Sequence, residues 1–438
     1  MERRCSRSPS TPSQCWASAS VITSLSENAG FLPPRPEIKA GTFCWYPSST
    51  VVCDVVKKVS VAIFIGFLQG SSFDATTGFH FTSSVAGYNG VMQETNEDRI
   101  LDLLIIGAGP AGLAASCAAQ DAGLSHVVVE RGGPVQSLVE HPQQIQYFSP
   151  SDELAVGGIP FFIAGGHKPT REDALAYYRA VAASRRLPLA TWEEVVDIKH
   201  VGPAPPDGHF EVRSTRRSAG EGDVVRLARF LLVCTGTFPN PRPLDVPGAD
   251  LPKVFTRLAD PTPFFGRDVL VVGGGNSSAT GAMTLAEAGA RVTVAMRRPP
   301  ADFQSHLRPF IARDLKIMAD EKRLALITGV RIACIAPSSV DLSHVGYEGT
   351  APGVEAPRST LPNDFVFALV GHTADRTLFA HLGVSLAPDG LPIYDDKTSE
   401  SEVPGLYVAG SLSRANIILE SRQRAVEIVA HVADRMAK

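Results

Sequence analysis

One local pattern occurs twice in this chain and constrains it more than any other feature: an apolar run of strand length, a glycine-rich loop, a helix and a second strand. In the first copy, residues 100–106 read as the strand. The loop is Gly107-Ala108-Gly109-Pro110-Ala111-Gly112, the helix covers 111–121, Gly123 stops it, and 127–130 form the next strand. In the second copy the strand is 269–272 and the loop is Gly273-Gly274-Gly275-Asn276-Ser277-Ser278. A helix over 279–288, a stop at Gly289 and a strand over 292–295 complete it. Parallel neighbours cannot be joined by a hairpin, so strand–helix–strand units of about thirty residues predict parallel sheets covered by helices. The fold class expected is α/β, with two Rossmann-like dinucleotide-binding domains in three layers. Between the copies lie a helix over 171–184, alternating segments that read as a small antiparallel insert, and the apolar strand 230–234.

The two loops ask for different ligands. In the first, Gly107 makes the tight turn, Gly109 leaves room for a pyrophosphate, and Gly112 lets helix and strand pack closely. Pro110 and Ala111 open the helix, whose free N–H groups and positive end favour phosphate. Glu130 closes the second strand about twenty residues on, where a carboxylate accepts from a ribose 2′-OH. The second loop keeps its first glycines, Gly273 and Gly275, and carries Asn276 and Ser277 into Ser278, a small residue at the packing position. Its second strand ends in Arg297 and Arg298, with no carboxylate. A guanidinium pair suits a 2′-phosphate, which favours NADPH over NADH. An acid in one unit and a basic pair in the other imply two dinucleotides, and FAD in the first with NADPH in the second is the economical assignment. Thr235-Gly236-Thr237 after the strand 230–234, and Gly410-Ser411 after 405–409, are turns that let backbone approach the first cofactor. The expected domains are therefore 99–258 with 359–438 for FAD, and 259–358 for NADPH inserted between them.

Composition narrows the class. Of 438 residues, 41 are Lys or Arg and 45 are Asp or Glu, a net charge of −4, which gives no field for a polyanion; no nucleic-acid partner is expected. The strongest apolar run, 59–68, is too short to span a bilayer. Residues 1–98 read as an N-terminal extension, unstructured or a leader. They show no legible n-region, h-region and cleavage site. Organelle import through them has no support, and a cytoplasmic location is expected. The seven cysteines, Cys5, Cys15, Cys44, Cys53, Cys117, Cys234 and Cys334, form no C-x-x-C pair and no metal pattern, which fits a reducing compartment.

Longer strings carry a family resemblance. They are Tyr147-Phe148-Ser149-Pro150 running on to Gly157-Gly158-Ile159-Pro160-Phe161, then Lys168-Pro169-Thr170-Arg171, Asn240-Pro241, Val246-Pro247-Gly248, Leu251-Pro252-Lys253-Val254, and residues 363–369. With the two glycine loops, Thr235-Gly236 and the strand before Gly410, the chain from about residue 101 onward resembles the two-dinucleotide flavoproteins that include thioredoxin reductases and flavin monooxygenases. Within them it is similar to the bacillithiol-disulfide reductase-like family. The resemblance implies FAD, NADPH and a small-molecule electron acceptor, a low-molecular-weight thiol disulfide; a homodimer is also in keeping with it. Two positions depart from the pattern: members commonly carry Cys where this chain has Ala111, and the wider superfamily often has Asp where this chain has Ser411.

No catalytic residue is assignable from the sequence. Disulfide reductases use a thiolate near the flavin or a shuttling dithiol. Cys117, Cys234 and Cys334 read as core residues. Direct hydride delivery from flavin to a disulfide stays open, with no residue in the sequence that marks it. Tyr147 and Ser149 are candidates for the flavin or substrate side, as are His306 with Arg308 and Glu420 with Arg422. Two alternatives stay open: an NADPH- and O2-dependent flavin monooxygenase, which needs no cysteine but whose linker motif is absent, and a flavoprotein redox sensor without turnover.

Overall fold

The computed structural model describes residues 99–217, 222–302, 304–345, 357–415 and 417–438. The N-terminal extension expected over 1–98, with Cys5, Cys15, Cys44 and Cys53, lies outside the described residues.

Strand β1 (Leu101–Ile106) is a continuous apolar run because both of its faces are covered; Leu103, Leu104 and Ile105 are fully buried. It leads into helix α1 (Pro110–Asp121), whose proline sits in the first turn, where the missing N–H costs nothing. Alanines make α1 slim, so it lies close on the sheet and against the C-terminal helix. Strand β2 (His126–Glu130) returns beside β1. Helix α2 (Arg171–Arg185) is started by a capping box in which Thr170 and Asp173 each take the other's backbone N–H. Then come β3 (Leu189–Thr191), β4 (Glu193–Val201), β5 (His209–Arg216) and β6 (Asp223–Val233).

These strands form a sheet in the order β3-β2-β1-β6-β5-β4. The pairs β3–β2, β2–β1 and β1–β6 are parallel, while β6–β5 and β5–β4 are antiparallel, the insert expected between the glycine units. Strand β6 is long enough to pair with β5 through its first half and, through its second half, with β15 (Leu406–Val408), parallel.

The second sheet is wholly parallel, in the order β10-β9-β8-β14-β7. It contains β7 (Val254–Phe255), β8 (Asp268–Val272), β9 (Arg291–Met296), β10 (Ala325–Thr328) and β14 (Phe365–Ala368), with helices α3 (Asn276–Glu287) and α4 (Pro309–Asp320) on one face. On the other face lies an antiparallel meander of β11 (Val330–Ala336), β12 (Ser339–His344) and β13 (Arg358–Pro362). Strands β7 and β14 lie outside the span 259–358. Strand β14 is bonded to β8 on one side and β7 on the other, which only pairing partners distant in sequence reveal.

Helix α5 (Arg376–His381) starts from an Asp375 cap, and the final helix is α6 (Ile418–Met436). Its buried residues Ser421, Ala425, Ile428, Val429 and Val432 recur at helical spacing and face α1 and β1. Among the described residues no helix is long and apolar enough to cross a membrane.

Candidate functional site

The ends of β1, β2 and β6, the turn after β15 and the start of α6 surround a cavity of about 350 Å3. Of the FAD candidates, Gly107, Gly109, Pro110, Ala111, Glu130, Thr235, Gly236, Gly410 and Ser411 all line it. Gly112 lies beneath, where a Cβ would stand 1.9 Å from the Gly107 carbonyl oxygen. Gly107 has φ +104, and a Cβ there would lie 2.7 Å from the Cys234 carbonyl oxygen. Gly109 meets nothing within 4 Å on that side, so its backbone faces open space.

Both oxygens of Glu130 hold backbone: Ala108 N–H donates to Oε2 at 2.8 Å and Gly132 N–H to Oε1 at 2.9 Å. The carboxylate thus fixes the glycine loop to the end of β2, and each oxygen keeps a lone pair for a ribose hydroxyl. Across the cavity Thr237 N–H donates to Ser411 Oγ at 3.0 Å, tying two turns that are far apart in sequence. Thr235 Oγ1 is buried with no hydrogen-bond partner. An unpaired buried hydroxyl is costly, and a ligand oxygen or nitrogen in the cavity would satisfy it. The open side of Gly109, the cradle that Cβ atoms at Gly107 and Gly112 would fill, and this orphaned hydroxyl fit a dinucleotide such as FAD.

The second loop is built on a variation of the same plan. Gly273 has φ +142, and a Cβ there would meet the Leu369 carbonyl oxygen at 2.3 Å. Ser278 is fully buried; Gly275 N–H donates to its Oγ at 3.0 Å, and its hydroxyl donates to the Gly275 carbonyl at 2.7 Å. Asn276 Oδ1 accepts from Arg308 N–H at 2.9 Å, and Ser277 is exposed beside it. The two arginines are not equivalent. Arg298 Nη1 donates to the Gly274 carbonyl at 2.8 Å and so holds the loop, while Arg297 is exposed with no partner among the described residues.

Other candidates fare differently. Tyr147 is buried and does not itself line the cavity; it reaches it through His141, whose Nδ1 is 3.3 Å from the phenol oxygen. Ser149 is outside the lining. His306 is exposed, and the Arg308 guanidinium sits 5.3 Å from the Phe148 ring centroid. Glu420 is exposed, and Arg422 is spent on the carbonyls of Asp152 and Glu153, whereas their neighbours Ile418 and Ser421 do line the cavity. Cys234 lines it too, but burial pushes its thiol well up; burial likewise raises Cys117 to about 11. Neither is a thiolate at neutral pH. Among the cavity residues that sequence reasoning missed are His141, Phe238, His372, Glu194 and Val195. No motif marks them; they come from four separate segments.

The family profile described as pyridine nucleotide-disulphide oxidoreductase matches residues 104–410. The chain belongs to that family. Among curated relatives, bacilliredoxin reductase Bdr of Bacillus subtilis is 30% identical over 338 residues, covering 76% of this chain and 97% of that protein. A ferredoxin–NADP reductase of Ignicoccus hospitalis is 27% identical over 72% of this chain and 90% of its own length. Among solved structures, the bacillithiol disulfide reductase Bdr (YpdA) from Bacillus cereus is 29% identical with a TM-score of 0.68, over 77% of this chain and all of that one. The pyridine nucleotide-disulphide oxidoreductase described here is accordingly an enzyme that uses FAD and NADPH.

Proposed function

We propose that the enzyme passes electrons from NADPH, through FAD, to a low-molecular-weight thiol disulfide that meets the flavin directly. One observation carries this reading: solved relatives matched over nearly their whole length are bacillithiol disulfide reductases by name, and the described residues hold only three cysteines, each free and none paired with another. With no dithiol among the described residues to relay electrons, on this reading the acceptor itself reaches the flavin.

FAD would be held by Gly107, Gly109, Pro110, Ala111, Gly112, Glu130, Thr235, Gly236, Gly410 and Ser411. NADPH would be held by Gly273, Gly275, Asn276, Ser277, Ser278 and Arg297, with Arg298 keeping Gly274 in place. When bound, the flavin supplies two-electron chemistry between a nicotinamide and the acceptor. The chain's contribution is placement. Glu130 fixes the adenosine end of the cavity, Gly109 gives the pyrophosphate its approach, and α1 offers that charge its N-terminus. Ala111 and Gly410 stand close to one another at the cavity wall: a Cβ on Gly410 would lie 3.5 Å from that of Ala111. Small groups there leave the acceptor space where related chains carry a thiol. We further propose that the FAD unit comprises the seven-stranded sheet with α6, and the NADPH unit the five-stranded sheet with its meander.

The test uses the full chain loaded with FAD. NADPH oxidation is followed with and without bis(2-hydroxyethyl) disulfide or oxidised bacillithiol, with peroxide measured in parallel. Disulfide-dependent oxidation with little peroxide is expected. Oxygen-dependent consumption indifferent to disulfide would turn the assignment to a monooxygenase. FAD binding with no consumption would turn it to a sensor.

A further inference from the structure

On one side of the cavity, three rings from three segments meet. The His141 ring stands edge-on to Phe238 at 4.5 Å between centroids, and His372 lies 4.9 Å from the same Phe238. All three line the cavity. This side faces the NADPH unit. Glu140, next to His141, is ion-paired with Arg257, which follows β7, and Gln143 N–H reaches the Ala259 carbonyl. A nicotinamide held by that unit would approach a flavin in this cavity from the contact that Glu140 and Gln143 make, so His141 borders the ground on which electrons would be exchanged.

His141 is held rather than loose. Arg171 Nη1 donates to the carbonyls of Val139 and His141 at 2.9 and 3.1 Å, and Tyr147 Oη lies 3.3 Å from Nδ1. Burial keeps the Tyr147 hydroxyl protonated, so it can donate to Nδ1 and leave Nε2–H as the tautomer free toward the cavity. The charged and titratable groups around the ring are Arg171 from α2, Arg257 from the segment after β7, His372 from the loop after β14, Tyr147, and Glu140, which Arg257 already pairs. Burial first, then the positive fields of His372, Arg171 and Arg257, lower this imidazole to about 4.

We propose that His141 carries the proton that the departing sulfur of the disulfide needs, with Tyr147 as its positioning residue. This rests on the disulfide-reductase reading above. The disulfide takes a hydride equivalent, two electrons and one proton originating from NADPH. Its S–S bond breaks, one sulfur leaves as a thiol and the other as a thiolate. The thiolate takes a second proton from water by way of His141, and the imidazole returns to neutral; two thiols and NADP+ are the products. The resting imidazole holds no second proton, which keeps positive charge out of the cavity. A thiolate formed beside the ring favours its charged form, so it gains a proton when there is an anion to receive it.

Two measurements decide the matter on the FAD-loaded full chain. In the first, histidine-labelled protein is titrated by NMR, with His141→Gln used to assign the resonance. His141 is expected to titrate below pH 5 and to rise by at least one unit with saturating thiocyanate, a small sulfur anion; no rise overturns the proposal. In the second, His141→Gln is compared with the native enzyme from pH 6 to 9. With bis(2-hydroxyethyl) disulfide, kcat should fall at least tenfold at pH 8 and by less at pH 6, with little change in KM. The loss with ferricyanide, which takes electrons without a proton, should be at least tenfold smaller. Equal losses with both acceptors, or a loss independent of pH, overturn it. Tyr147→Phe is the milder variant should the first not fold. It should shift the His141 tautomer balance and lower disulfide turnover about threefold, and no change in either overturns the role of Tyr147. A native enzyme that reduces ferricyanide but no disulfide would instead sink the proposed function, and this inference with it.

Discussion

The two glycine loops of this chain perform one task under different constraints. In the first, a Cβ at the sixth position would lie 1.9 Å from the Gly107 carbonyl oxygen, so only glycine fits and helix α1 sits tight on its strand. In the second, the sixth position is Ser278, whose Cβ has room and whose hydroxyl bonds both the N–H and the carbonyl of Gly275. The first loop is anchored by an acid, Glu130, and the second by a base, Arg298. A carboxylate takes backbone N–H groups and a guanidinium takes a carbonyl, so the two loops are fixed by opposite charges. Loop geometry is therefore shared, while the anchoring residue at the end of the next strand differs.

The strongest way to break this comparison is at its tightest point. Gly112→Ala should overpack by roughly 1–3 kcal/mol or more and lose most of the bound flavin, read from the ratio of absorbance at 450 and 280 nm. Ser278→Gly in the other loop should leave flavin content unchanged. Equal effects would mean the two packings are alike after all.

Next come the arginines. Arg297→Ala should raise the KM for NADPH by tenfold or more while changing that for NADH little. Arg298→Ala should raise both, because it loosens Gly274 for either nucleotide. A selective effect of Arg298 alone would reverse the roles assigned here.

Acid should separate the two units by a smaller margin. His126 and His141, both in the flavin unit, have folded values lowered below their usual 6.5, mainly by burial. The unfolded chain then binds more protons than the folded one as pH falls below about 6.5, so stability drops through that range toward His141's value of about 4. A falling Tm with early release of flavin fluorescence between pH 6.5 and 4.5 is expected. A Tm flat over that range would contradict it.

The smallest effect is predicted for Cys234→Ala, which should lower disulfide turnover by less than about threefold. A loss of a hundredfold would make Cys234 a reacting thiol.

Much of the cofactor machinery was legible in the chain. Strand, loop and helix are contiguous in each unit, and Glu130 and the Arg297–Arg298 pair stand at offsets that strand geometry dictates. The acid and the basic pair are the sequence's ground for expecting two different nucleotides. Where legibility ended, the reason was distance in sequence. Nothing local tells that β14 wedges between β7 and β8, since a four-residue apolar strand would suit either sheet. Nor does anything local tell that Arg298 turns back on Gly274 while Arg297 stays in solvent.

By itself, then, the sequence determined two strand–glycine-loop–helix–strand units and the lack of a C-x-x-C redox pair, because short-range periodicity and residue chemistry suffice for these. Only the tertiary structure decided that His141, Phe238 and His372 meet at the cavity and that Thr237 and Ser411 close it from segments 174 residues apart. Packing alone brings such residues together, and the burial it imposes is what sets the protonation state of His141.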